Sequence, residues 1–125
     1  MFESDPVEQQ LSQAKQALDN GSGAHKADLS DAVIINRLYY TCFHAAQAVL
    51  YERGFEPESH GAVHSLFGSA VVVKGDASRA QGRFRNDLST VRKQADYGYE
   101  PIDEDIGSLI KEAMSFLETM RLLAD

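Results

Sequence analysis

Residues 28–54 read DLSDAVIINRLYYTCFHAAQAVLYERG. Within them Ala32, Val33, Ile35, Leu38, Tyr39, Cys42, Phe43, Ala46, Val49 and Leu50 recur at helical spacing. The pattern predicts a helix over about 28–53, apolar over a broad arc. Such a helix must be covered on several sides, so it is expected at the centre of a helical bundle. Gly54 stands where a left-handed C-cap belongs, and FEPES after it reads as a loop.

The flanking segments supply the cover. Upstream, Ser4-Asp5-Pro6 is a helix-start signal, and Val7, Leu11, Ala14 and Leu18 follow at helical spacing until Asn20-Gly21-Ser22-Gly23. That predicts a helix over about 5–20. Downstream, Val63, Leu66, Phe67, Ala70 and Val71 predict a third helix over about 60–73, with β-prone Val71-Val72-Val73 absorbed into it. Phe84, Leu88, Val91 and Ala95 form one stripe of a fourth, about 77–97, closed by Gly98 and Pro101. Ile106, Leu109, Ile110, Ala113, Leu117 and Met120 mark a fifth, about 103–123. The expected architecture is an all-α antiparallel bundle of about five helices, one domain over residues 1–125.

Composition narrows the function classes. The chain has 125 residues, and 43% of them are apolar, which suits one folded domain rather than a disordered segment. No apolar run approaches the roughly 20 residues of a membrane span. The N-terminus MFESDPVEQQ lacks the basic and then apolar pattern of a signal peptide. A single cysteine, Cys42, excludes an internal disulfide framework and fits a reducing compartment. The expectation is a cytoplasmic protein with no membrane association.

The net charge of −7 argues against a general coating of nucleic acid, because such binding rests on neutralised phosphates. The total is uneven, however. Residues 74–93 hold six cations (Lys74, Arg79, Arg83, Arg85, Arg92, Lys93) against Asp76 and Asp87, a local +4 that leaves −11 elsewhere. This segment reads either as a confined phosphate or RNA surface or as a solvated face paired with acidic neighbours. Arg85 and Arg92 are seven apart and fall together at the edge of the fourth helix's stripe. From there a planar guanidinium can reach a groove and bind phosphate bidentately.

A second constellation lies on the central helix. Arg37, Thr41, His44 and Ala48 form a partly polar stripe, with Tyr40 beside Arg37 and His44. Polar groups on such a helix need partners: a ligand, another subunit or neighbouring helices. His44 is a candidate general acid/base or a hydrogen-bonded structural histidine. His60 and His64 have a spacing that can share a metal, but no third ligand and no adjacent glutamate accompany them. No metal or other cofactor is expected, and His60 is read as helping to cap the third helix or contacting its loop. The glycines are scattered without a phosphate-binding loop, and Cys42 and His44 point about 160° apart on a helix, which excludes a thiol–imidazole pair.

Three blocks together resemble one family. Residues 36–46, NRLYYTCFHAA, look like the N-R-x-Y-Y-x-x-F-H-A-A core of HEPN (higher eukaryotes and prokaryotes nucleotide-binding) domains. GFEPESHG at 54–61 shares the G-x-x-P-x-x-H part of the G-x-x-P-x-x-H-x-G loop that follows, with its glycine one position early, and RKQADY at 92–97 resembles the R-x-x-A-D-Y near the end of the fourth helix. The resemblance implies a small helical bundle, usually a homodimer, often encoded beside a minimal nucleotidyltransferase in toxin–antitoxin or defence pairs. The toxin branch is a metal-independent ribonuclease whose motif is an arginine, then four to six residues, then a histidine, two copies meeting at the dimer interface. In some pairs a tyrosine two beyond that histidine is adenylylated.

Carried onto this chain, Arg92 matches the motif arginine, Tyr97 stands where the histidine belongs, and Tyr99 matches the modified tyrosine. A phenol with an ordinary pKa near 10 is a poor base at neutral pH, where imidazole is suited to the task. If the ribonuclease operates, Arg92 would act with Tyr97 or with a substitute histidine, His44 first and His60 second. The expected function is therefore the binding or substrate half of a nucleotidyltransferase pair. It would hold nucleotide or RNA phosphate through Arg92, assisted by Arg85, Arg37 and His60. The alternatives are an active ribonuclease and a dimerising module without a ligand.

Overall fold

Asp5 caps the first helix, α1 (Pro6–Lys26): its carboxylate accepts from the Val7 amide at 2.8 Å. Pro6 follows in the first turn, where its missing N–H is not needed. The computed structural model describes residues 5–72, 74–75, 78–79, 81–84, 90, 92–93 and 105–125. In it α1 continues through the expected stop at 20–23. Gly21 is buried there, and a Cβ on it would lie 3.3 Å from both Arg37 Cβ and Leu38 Cδ2. The glycine thus serves close helix approach rather than termination. The helix ends instead on Asp28, at φ 61°, where the Asp28 amide donates to the His25 carbonyl and the Leu29 amide to the Ala24 carbonyl. These are the two bonds of a Schellman ending, with aspartate in the place usually held by glycine.

Helix α2 (Asp31–Glu52) is the central element expected, capped by Ser30 and closed by Gly54 at φ 88°. Its buried residues run around most of the circumference, including Ile34, Leu38, Thr41, Ala45, Ala48 and Val49. Val33, expected inside, is 45% exposed, and Ile34 takes its place in the core. Helix α1 and the C-terminal helix (Ile106–Leu123) both pack on α2 and on each other. The C-terminal helix buries Ile106, Ala113, Leu117 and Met120 from the expected stripe, together with Phe116. Its cap, Asp105, accepts from the Ser108 hydroxyl at 2.7 Å, and this bond holds the Asp105 carboxyl below its ordinary pKa.

Helix α3 (His60–Phe67) starts on Ser59, whose hydroxyl accepts from the Ala62 amide at 3.0 Å. The expected third helix changes winding at Gly68: residues Gly68–Val72 form a π-helical turn. Two side chains draw on carbonyls in this region. Ser69 donates to Ser65, and Arg53 donates to Ala70 at 2.9 Å. Val71 of the β-prone triplet is buried in helical geometry, as the flanking spacing indicated.

In the basic segment, residues 79, 81–84, 90 and 92–93 are helical. Ser78 and Gln81 cap each other reciprocally: Gln81 donates its amide to the Ser78 hydroxyl and accepts the Ser78 amide, both at 3.0 Å. Gln81 also donates to Thr119 at 2.8 Å, and Phe84 meets Phe116, so the segment docks on the C-terminal helix. Leu88, Val91, Ala95, Gly98 and Pro101, on which the rest of the fourth helix was expected, lie outside the described residues. Among the described residues there is no strand, and no helix is long and apolar enough to cross a membrane. The fold is an all-α bundle around one continuous core.

Candidate functional site

Tyr39, Tyr40, Phe43 and His44 are three or four apart along one flank of α2, so their rings gather into a patch. Tyr39 and Tyr40 meet edge to face with centroids 5.1 Å apart. Phe43 packs on His44 edgewise at 5.3 Å. His60 arrives from the first turn of α3 and stacks on Phe43 at 4.2 Å. Its Nδ1 is hydrogen-bonded to the Tyr39 hydroxyl at 2.9 Å. His60 therefore does not cap α3, as sequence suggested. Ser59 does that, which leaves the imidazole to turn onto α2.

The basic segment contributes Arg92. Its guanidinium carbon lies 4.4 Å from the Tyr39 ring centroid, a cation–aromatic contact. Its Nε is buried and has no hydrogen-bond partner among the described residues. Thus Tyr39 joins two candidates far apart in sequence: its hydroxyl holds His60 and its ring carries Arg92.

Arg37 and His44 sit on the other side of Tyr40. Arg37 covers the Tyr40 ring at 5.3 Å, and its Nε donates to Asn36 Oδ1 at 3.0 Å. His44 donates from Nδ1 to Gln10 Oε1 of α1 at 2.7 Å. Burial pushes the His44 imidazole below its ordinary pKa, and the neighbouring Arg37 guanidinium and His60 ring push it the same way. It is therefore neutral at pH 7, with Nε2 as a lone-pair nitrogen. The stripe, expected to find its partners in a ligand, another subunit or neighbouring helices, divides. Thr41 is fully buried and satisfied by the Arg37 carbonyl at 2.9 Å, and Ala48 is core. Only Arg37 and His44 remain partly accessible.

Four of the residues singled out from sequence, Arg37, His44, His60 and Arg92, thus meet around one aromatic patch. Arg85, Tyr97 and Tyr99 lie outside the described residues. Lys74, Arg79, Arg83 and Lys93 are exposed, and none forms a salt bridge with another described residue. Among the described residues no three His, Cys, Asp or Glu side chains converge to hold a metal. His64 lines a separate hollow beside the π-helical turn, with Arg79 and Arg83. Sequence reasoning assigned Tyr39 and Phe43 to the core and did not use Gln10. One signal was available: a tyrosine on an apolar face carries a hydroxyl that must find a partner.

The fold and the patch define a class, an all-helical domain with a cation seated on an aromatic platform. A family model described as HEPN domain matches residues 7–123, and the chain belongs to the HEPN family. It is 32% identical over 88 residues to a protein of Methanocaldococcus jannaschii named a "putative toxin", covering 70% of this chain and 66% of that one. It is 30% identical over 93 residues to a UPF0332 protein of Thermotoga maritima, covering 73% and 70% of the two. A UPF0332 protein of Pyrococcus horikoshii is 36% identical over 78 residues, and that match spans 49% of its length.

Proposed function

We propose that this HEPN protein is the nucleotide- or RNA-binding component of a toxin-type pair, holding phosphate through Arg92. The observation that carries the reading is the buried Arg92 Nε, which has no partner among the described residues while the guanidinium rests on Tyr39. An unsatisfied buried donor costs about 1–3 kcal/mol. Such atoms persist where a ligand or a second chain completes the site. Arg37 and His60 flank the same patch and assist, and Arg85 joins them by its place in the charge pattern. The M. jannaschii relative's name supports a toxin-type role. The reading includes a homodimer and a minimal nucleotidyltransferase partner in the cytoplasm, with Tyr99 as the group that partner would modify.

The test is a titration of a short fluorescent RNA by anisotropy. Arg92→Ala should weaken binding about tenfold or more, as expected for loss of a charge-assisted contact. Unchanged affinity would remove the proposal.

One observation favours a ribonuclease as the second reading: Tyr39 links Arg92 to an imidazole. In that reading His60 accepts the proton of the ribose 2′-hydroxyl as its oxygen attacks the adjacent phosphorus. Arg92 stabilises the phosphorane charge, the P–O5′ bond breaks to leave a 2′,3′-cyclic phosphate, and the departing 5′-oxygen takes back the proton that His60 accepted. His44 is tied to Gln10 and sits nearer Arg37, so the link to Arg92 favours His60. Metal-free cleavage abolished by Arg92→Ala and His60→Gln, with His44→Gln active, is the expected pattern. No cleavage by concentrated wild-type protein in EDTA excludes it.

A further inference from the structure

Between α1 and α2 the surface opens into a hollow of about 410 Å³, within the range of small-molecule sites. Its origin is local. Ala17, with its short side chain, forms the floor, while Gln13, Gln16 and Asn20 stand around it. These three amides are three and four residues apart, on one face of α1. The opposite wall is α2, with Arg37, Tyr40 and His44.

The chemistry of the two walls differs. The α1 wall holds carboxamides only, each with both a donor and an acceptor end. The α2 wall holds a flat ring with a guanidinium over it at 5.3 Å, and an imidazole that burial keeps neutral. A planar, uncharged group bearing donors and acceptors on its edge matches this pairing. Phosphate alone does not use the amide wall, and an aliphatic group satisfies neither side. A chain of ring contacts links the hollow to the phosphate site proposed above. Arg92 lies on Tyr39, Tyr39 touches Tyr40, and Tyr40 lines the hollow, by steps of 4.4 and 5.1 Å from the guanidinium.

We propose that the α1–α2 hollow is a nucleobase subsite, in which Gln13, Gln16 and Asn20 read the base edge and the Arg37–Tyr40 pair carries its face. The proposal rests on the reading of Arg92 as a phosphate ligand, which it extends by giving the base a place and a means of discrimination. Carboxamides discriminate bases because each base presents its own order of donors and acceptors. Stacking on the Arg37 guanidinium that covers Tyr40 adds affinity that is tolerant of base identity.

The experiment compares the four 5′-ribonucleoside monophosphates with ribose 5-phosphate, by calorimetry. Wild-type protein should bind its preferred nucleotide about tenfold or more tighter than the least preferred, and tighter than the base-free probe. Gln13→Met with Gln16→Met removes the amides while keeping shape and helix propensity at exposed positions. This double variant, and independently Asn20→Leu, should reduce the preference to about twofold or less, with ribose 5-phosphate binding unchanged. Equal binding of all five probes by wild type, or full preference in both variants, overturns the proposal. So does a change of oligomeric state in place of lost preference, since the wall would then be a contact between copies. Arg92→Ala separates the two readings. It should weaken every probe alike, including ribose 5-phosphate. If base preference survives but Arg92→Ala has no effect, the phosphate assignment fails and the base subsite stands.

Discussion

At the residue scale, Arg92 balances two terms of similar size. The contact with the Tyr39 face contributes about 0.5–2 kcal/mol, while the buried Nε, which has no partner among the described residues, costs about 1–3 kcal/mol. Arg92→Met, which keeps much of the packing and removes the donor, should therefore leave stability within about 1 kcal/mol of wild type. A urea denaturation curve measures it, and a loss above roughly 3 kcal/mol would mark Arg92 as a structural residue. His44 makes a second prediction. Its folded pKa is below the ordinary imidazole value of 6.5, so the unfolded chain binds more protons between the two values. Stability conferred by the neutral imidazole is full above pH 6.5 and declines as pH falls below it. The urea midpoint should drop between pH 7 and pH 5.5, and His44→Gln, which cannot titrate, should flatten that drop. An equal drop in the variant would assign the effect to other groups. Arg37, His44, His60 and Arg92 were legible as candidates because their types and spacings stand out on apolar helices. Their meeting was not. It depends on how α3 and the basic segment approach α2, which no spacing within one helix encodes.

At the scale of elements, the sequence marked the helices better than their ends. The glycines at 21 and 23 were read as a stop, yet one packs against α2 and the other lies within the helix. Glycine ends a helix when its backbone turns left-handed, and permits close approach when another backbone lies beside it. Only the packing partner separates these cases, and it lies in another helix. At Asp28 the same ambiguity ran the other way: a non-glycine residue holds the left-handed ending. Asp28→Gly removes that strain and should stabilise the protein by about 0.5–1 kcal/mol. A rise in thermal midpoint of a few degrees is the expected reading, and a fall would show that the aspartate side chain contributes more than the strain takes away. The π-helical turn was not legible at all, since it depends on Arg53 and Ser69 competing for carbonyls that the sequence does not mark as contested.

At the scale of the whole molecule, charge sets how nucleic acid would be held. The body is strongly acidic, and half of its Lys and Arg lie within residues 74–93. In the described part of that segment, Lys74, Arg79, Arg83 and Lys93 are exposed and form no salt bridge with a described acid. The acidic remainder repels any strand that runs beyond the segment, which limits the footprint. The number of phosphates neutralised is therefore small. For single-stranded RNA the logarithm of affinity falls with that of salt by about 0.7 per phosphate engaged. Six cations in the segment and Arg37 together cap the slope at about −5. Arg92→Ala should make the slope shallower by roughly 0.7, and Arg79→Ala, further along the segment, should do the same only if the strand reaches that far. Lengthening the RNA beyond the segment should leave affinity per molecule unchanged apart from the statistical gain in sites. Affinity that climbs steadily with length, with a slope well beyond −5, would mean that the acidic body also takes up phosphate and that the binding is not confined to this segment and the aromatic patch that Arg92 meets.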